Sequence, residues 1–101
     1  MSVWVYVFDE FKPIDIDTGN LFELAKKNPK ELFNTIKDVL EEYIKVIKDV
    51  RVYYVYFDAK AFELLIEYTV RCDLGEISVK LIYSKNPRET LAHYYWYERS
   101  K

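Results

Sequence analysis

Residues 50–57, 61–72 and 76–84 are three alternating apolar segments separated only by short turn sequences, and no other feature of the chain restricts its fold as tightly. A period of two places side chains on opposite faces of a pleated strand, and strands joined by such short connections pair antiparallel. In the middle segment Phe62, Leu64, Ile66, Tyr68, Val70 and Cys72 point inward, while Glu63, Glu67, Thr69 and Arg71 point outward. In the next segment Ile77, Val79, Leu81 and Tyr83 lie opposite Glu76, Ser78 and Lys80. Asp58-Ala59-Lys60 and Asp73-Leu74-Gly75 are the connecting loops, with Gly75 supplying the positive φ that a tight hairpin needs. A meander of three strands follows.

Upstream, residues 3–9 form a further strand, with Val3, Val5 and Val7 on one face and Trp4, Tyr6 and Phe8 on the other. Neither face is polar, so both are covered or the aromatic one meets a partner. Residues 10–20 carry Pro13 and Asp17-Thr18-Gly19-Asn20, which predict a loop. Asn20 with Glu23 fits a capping box for a short helix over 21–27. Asn28-Pro29-Lys30-Glu31 starts a separate second helix, since Pro29 disfavours helical geometry at Asn28. There Leu32, Phe33, Ile36, Val39, Leu40, Tyr43, Ile44 and Ile47 recur at spacings of three and four as one stripe. Residues 86–98 satisfy two patterns. Asn86-Pro87-Arg88-Glu89 repeats the helix-start signal, whereas Tyr94-Tyr95-Trp96-Tyr97 favours a strand and tips the expectation toward a fifth one.

Helices grouped ahead of consecutive hairpins predict an α+β fold: an antiparallel sheet of four to five strands with two helices packed on one face. At 101 residues, half of them hydrophobic, residues 1–101 make a single domain with a real core. The 15 basic and 17 acidic residues nearly cancel, which argues against a general nucleic-acid binder. No apolar run approaches the roughly 18 to 20 residues that span a bilayer, and the first residues lack the basic flank and cleavage pattern of a signal peptide. The absence of Gln, the sparse Asn and the Lys/Glu-weighted charge fit a source in a hot environment.

Few residues assemble into chemistry. Asp17-Thr18-Gly19 matches the aspartic-protease tripeptide, but that mechanism needs a glycine-supported dyad and glycine-rich flaps, and the chain holds only Gly19 and Gly75. The tripeptide is good turn chemistry instead. His93 is the only histidine and Cys72 the only cysteine, so neither a disulfide within the chain nor a zinc site is expected. No enzyme activity, cofactor or metal is predicted. Two clusters remain as binding candidates. Asp9, Glu10, Asp15 and Asp17 fall within nine residues, opposed by Lys12 alone, and suit a basic partner surface. Trp4, Tyr6, Tyr94, Tyr95 and Trp96 suit a dimer or partner contact. The same Tyr94–Tyr97 aromatics could instead stack bases, which keeps a nucleic-acid-binding regulator as the alternative.

The opening strand, the acidic segment over residues 10–17, the helix from Pro29 and the Tyr-rich hairpins together resemble the small proteins of crenarchaeal rod-shaped and filamentous viruses. Within these, the chain resembles the anti-CRISPR proteins that inhibit type I-D interference. That resemblance implies a homodimeric, non-enzymatic inhibitor acting in the host cytoplasm. It would engage the large subunit of the CRISPR effector complex through an acidic surface, without turnover and without binding membrane or nucleic acid directly.

Overall fold

The computed structural model describes residues 2–100. Five strands form one wholly antiparallel sheet: β1 (Ser2–Val7), β2 (Glu10–Ile14), β3 (Ile47–Asp58), β4 (Glu63–Cys72) and β5 (Gly75–Ser84). Their spatial order is β2-β1-β5-β4-β3, so β5 is central while β2 and β3 are the edges. The α+β class and the antiparallel sheet agree with the sequence. So does the meander, in which Gly75 sits at φ 99° and closes the β4–β5 turn.

The fifth strand is β2, not the tail. Phe8 and Asp9 both adopt positive φ, 49° and 61°, forming a two-residue turn that pairs Val7 with Glu10. Both central residues of a type I′ hairpin need positive φ, and Asn-Gly is its usual signal. Phe-Asp gives no such signal, which is why residues 10–14 read as loop. Pro13 is tolerated because β2 is an edge, where its missing N–H breaks no ladder bond.

Two helical layers cover the two faces. On one lie α1 (Leu21–Lys27), α2 (Pro29–Leu32), a single 3₁₀ turn (Phe33–Thr35) and α3 (Lys37–Leu40). This stretch carries the chain from edge β2 across to edge β3. Its Leu21, Ala25, Leu32, Phe33, Ile36, Leu40 and Ile44 pack on Val3, Val5, Val7, Leu64, Ile66, Tyr68, Val70, Val79 and Leu81. Of the predicted inward stripe, Leu32, Phe33, Ile36, Leu40 and Ile44 are thus buried while Val39, Tyr43 and Ile47 are half-buried, and the continuous helix is not formed. The Thr35 hydroxyl donates to the Leu32 carbonyl at 2.6 Å, a local bond that competes with regular helix. Beyond Ile44, the amides of Lys45 and Val46 both donate to Asp73 Oδ1, at 2.9 and 3.1 Å, and the chain turns into β3. Asn28 caps α2 through the Glu31 amide, as expected, whereas Asn20 makes no side-chain cap on α1.

The opposite face is covered by α4 (Pro87–Arg99), a helix where the Tyr-rich run had suggested a strand. Asn86 accepts from the Glu89 amide and Pro87 takes the first turn. Burial then overrides strand propensity: Leu91 and Tyr94 pack on Leu65 and Ile82, with Trp4, Tyr6, Phe11, Tyr54 and Tyr56 around them. Phe62 also departs from the alternation, since it sits at φ 57° in the β3–β4 turn and is exposed.

Candidate functional site

The four clustered acids all lie exposed along edge β2, at its two ends. Asp9 occupies the β1–β2 turn, where it accepts from the Tyr6 hydroxyl at 3.1 Å. Burial, and then this carboxylate, raise the Tyr6 pKa. Glu10 faces the other layer and accepts from the Tyr43 hydroxyl at 3.0 Å. Asp15 and Asp17 follow the far end of the strand. Asp17 accepts from the Gly19 amide at 2.9 Å, so Asp17-Thr18-Gly19 forms a local Asx turn. Lys12, between the two pairs, is shared by Glu10 at 3.5 Å and Glu42 at 3.7 Å. Among the described residues no lysine or arginine pairs with Asp9, Asp15 or Asp17 within 4 Å.

The aromatic set is divided. Tyr94 is buried, and Trp4 and Tyr6 are half-buried, because α4 covers the face that the sequence left open. Tyr95 is 37% exposed and Trp96 75%. A bare aromatic sheet face is therefore absent, and the stretch 94–97 presents no continuous stacking platform, since Tyr94 turns inward. The acidic and aromatic sets meet once, in a cleft of about 230 Å³ between the β1–β2 hairpin and α4. Tyr6, Asp9, Phe11, Arg88 and Tyr95 are among its walls, with the Arg88 guanidinium 4.9 Å above the Phe11 ring.

Beneath α4 lies a polar layer that the sequence pattern assigned to solvent. Lys80 Nζ donates to Ser78 Oγ at 2.9 Å and sits 3.6 Å from Glu67 Oε1, which also accepts from the Tyr94 hydroxyl at 3.0 Å. Glu63, 6% exposed, accepts from Thr90 Oγ1 at 3.2 Å and from His93 Nδ1 at 3.0 Å. That hydrogen bond lifts the His93 pKa above its ordinary value. Glu67 and Lys80 are direct cross-strand partners of opposite charge, a pairing the sequence offered without any mark that it would be buried. Cys72 is buried at the end of β4. Among the described residues no group of three or more His, Cys, Asp or Glu is placed to hold a metal ion, and no helix is long and apolar enough to cross a membrane. No protein-family model, curated protein or solved structure matches the chain.

Proposed function

We propose that this protein is a non-catalytic inhibitor of host CRISPR type I-D interference, working in the host cytoplasm and occupying a basic surface on the large subunit of the effector complex. The observation that carries the reading is the β2 edge: four exposed carboxylates on one rigid strand and its flanks, with Lys12 the single cation between them. A groove built to hold phosphates attracts such a row by the same Coulomb forces. The edge is anchored by the β1–β2 register and by the Tyr43–Glu10 and Tyr6–Asp9 hydrogen bonds, so little order has to be gained on binding. The hydrophobic remainder of the contact is assigned to the Tyr6–Tyr95 cleft beside Asp9. A homodimer belongs to the same reading. Its candidate contact is the other edge, β3, which exposes Tyr53 and Phe57, and sedimentation equilibrium giving about twice 12.2 kDa is the check.

The test is association kinetics with the captured large subunit over a salt series. Asp15→Lys combined with Asp17→Asn changes three charges while leaving an acceptor oxygen for the Gly19 amide. Exposed pairs contribute about 0.2 to 1 kcal/mol each and act chiefly on the association rate. The variant should associate more slowly than the wild type at low salt, and the gap should shrink at physiological salt, where the Debye length is about 8 Å. Equal rates at every salt concentration would remove the β2 edge from the binding face.

A further inference from the structure

The far side of the molecule holds a second, differently built site. A cavity of about 370 Å³ opens between the end of α4 and the β3–β4 turn, lined by Tyr56, Asp58, His93, Trp96, Tyr97 and Ser100. Half of these residues are aromatic, and neither lysine nor arginine is among them. Behind His93 stands the buried Glu63 carboxylate. The charged groups that act most on His93 are acidic: Glu63 from β4, Glu89 from α4 itself and Asp58 from β3. Tyr56, on β3, is under the same influence from Glu63 and Asp58, with Tyr97 of α4 beside it. Ring faces and carboxylates attract the same kind of guest. The quadrupole of an aromatic face favours a cation, and a neighbouring carboxylate supplies the counter-charge. An anion would meet Asp58 in the wall, with Glu63 and Glu89 paired to His93 behind it. A hard metal ion would want converging oxygens, where this cavity offers rings.

We propose that this cavity binds an organic ammonium group, walled by Trp96, Tyr97 and Tyr56 and neutralised by Asp58. A lysine side chain presented by another protein and a small quaternary ammonium ion share this chemistry. The proposal is independent of the β2 edge, which lies across the sheet. It also gives the exposed Trp96 indole a role that packing within the chain does not supply. Protonated His93 opposes a cation, so binding weakens as pH falls and His93 takes up its proton, with Glu63, Asp58 and Glu89 the charged groups that face it.

The probes are tetramethylammonium chloride and Nα-acetyl-lysine methylamide, titrated into the ¹⁵N-labelled protein at constant ionic strength, with sodium acetate as the control. The indole N–H of Trp96 should shift and saturate in the millimolar range, while that of Trp4, packed on the α4 side of the sheet, stays still and reports an intact fold. The tighter of the two probes identifies the guest as a quaternary or a primary ammonium. Asp58→Asn keeps an oxygen for the Lys60 and Ala61 amides and should weaken binding about fivefold, the effect of one lost charge at close range. Trp96→Ala, read at the Tyr97 and Ser100 amides, should abolish saturation. Non-saturating shifts with both probes, equal shifts with acetate, or undiminished binding by Asp58→Asn and Trp96→Ala would overturn the proposal.

Discussion

Lys80→Met tests how the α4 layer is held. Lys80 is 5% exposed, near the middle of the central strand, with its ammonium 5.6 Å from the Tyr6 ring centroid and 5.5 Å from that of Tyr95. Methionine keeps most of the stem and removes the charge. Glu67, whose side chain is 15% exposed, then holds an ionised carboxylate with the Tyr94 hydroxyl and little else. Breaking a buried pair costs about 3 to 5 kcal/mol, and the residual water access of Glu67 brings the expected loss down to about 2 to 4 kcal/mol. Adding Glu67→Gln removes the stranded charge yet preserves an acceptor for Tyr94. The double variant should therefore return to within about 1 kcal/mol of the wild type. Urea unfolding at pH 7, compared at a common m-value, measures both. A loss below about 1 kcal/mol for Lys80→Met, or a double variant no more stable than the single, would refute the coupling of Lys80 to Glu67.

Leu40, fully buried between α3 and the sheet, should cost about 2 to 5 kcal/mol when cut to alanine, measured in the same urea assay. Gly75→Ala places a Cβ in open space but at φ 99°, so the change should lower stability by about 1 kcal/mol or more through backbone strain alone, visible as a lower Tm. The Glu63 hydrogen bond raises the folded-state pKa of His93, so its stabilisation is complete below the ordinary value of about 6.5 and is lost as pH rises through the elevated one. A pH series of wild type against His93→Gln should show their urea midpoints converging toward alkaline pH.

The meander was legible because each of its signals is local: alternation, an Asp-rich turn and a glycine at Gly75. The inward stripe from Leu32 to Ile44 was legible for the same reason, while the place where the chain then turns into β3 was not. Asp73 captures the Lys45 and Val46 amides from another hairpin, and no window along the chain contains both partners. The tail failed on the same ground. Its tyrosines favour strand in isolation, but Tyr94 finds Leu65, Ile82 and Glu67 only across the sheet. Once α4 took that face, Trp4 and Tyr6 became half-buried and Glu63, Glu67 and Lys80 came to lie beneath the helix. The acidic residues kept their place, since an edge strand leaves its flanks in water whether residues 10–14 are loop or ladder.

The position of β1 also governs how the chain is made. Val5 pairs with Leu81 and Ser2 with Ser84, so the first of these five strands to be made is seated against the fifth. The β3–β4–β5 meander closes through short turns, but the β1–β2 hairpin has no sheet to join until β5 emerges. Until then Val3, Val5 and Val7 lack Val79 and Leu81, and Trp4 and Tyr6 lack Ile82 and the residues of α4. An apolar ribbon with an unpaired edge is thus exposed to the cell until β5 is translated, and the rate at which ribosomes reach β5 sets how long that exposure lasts.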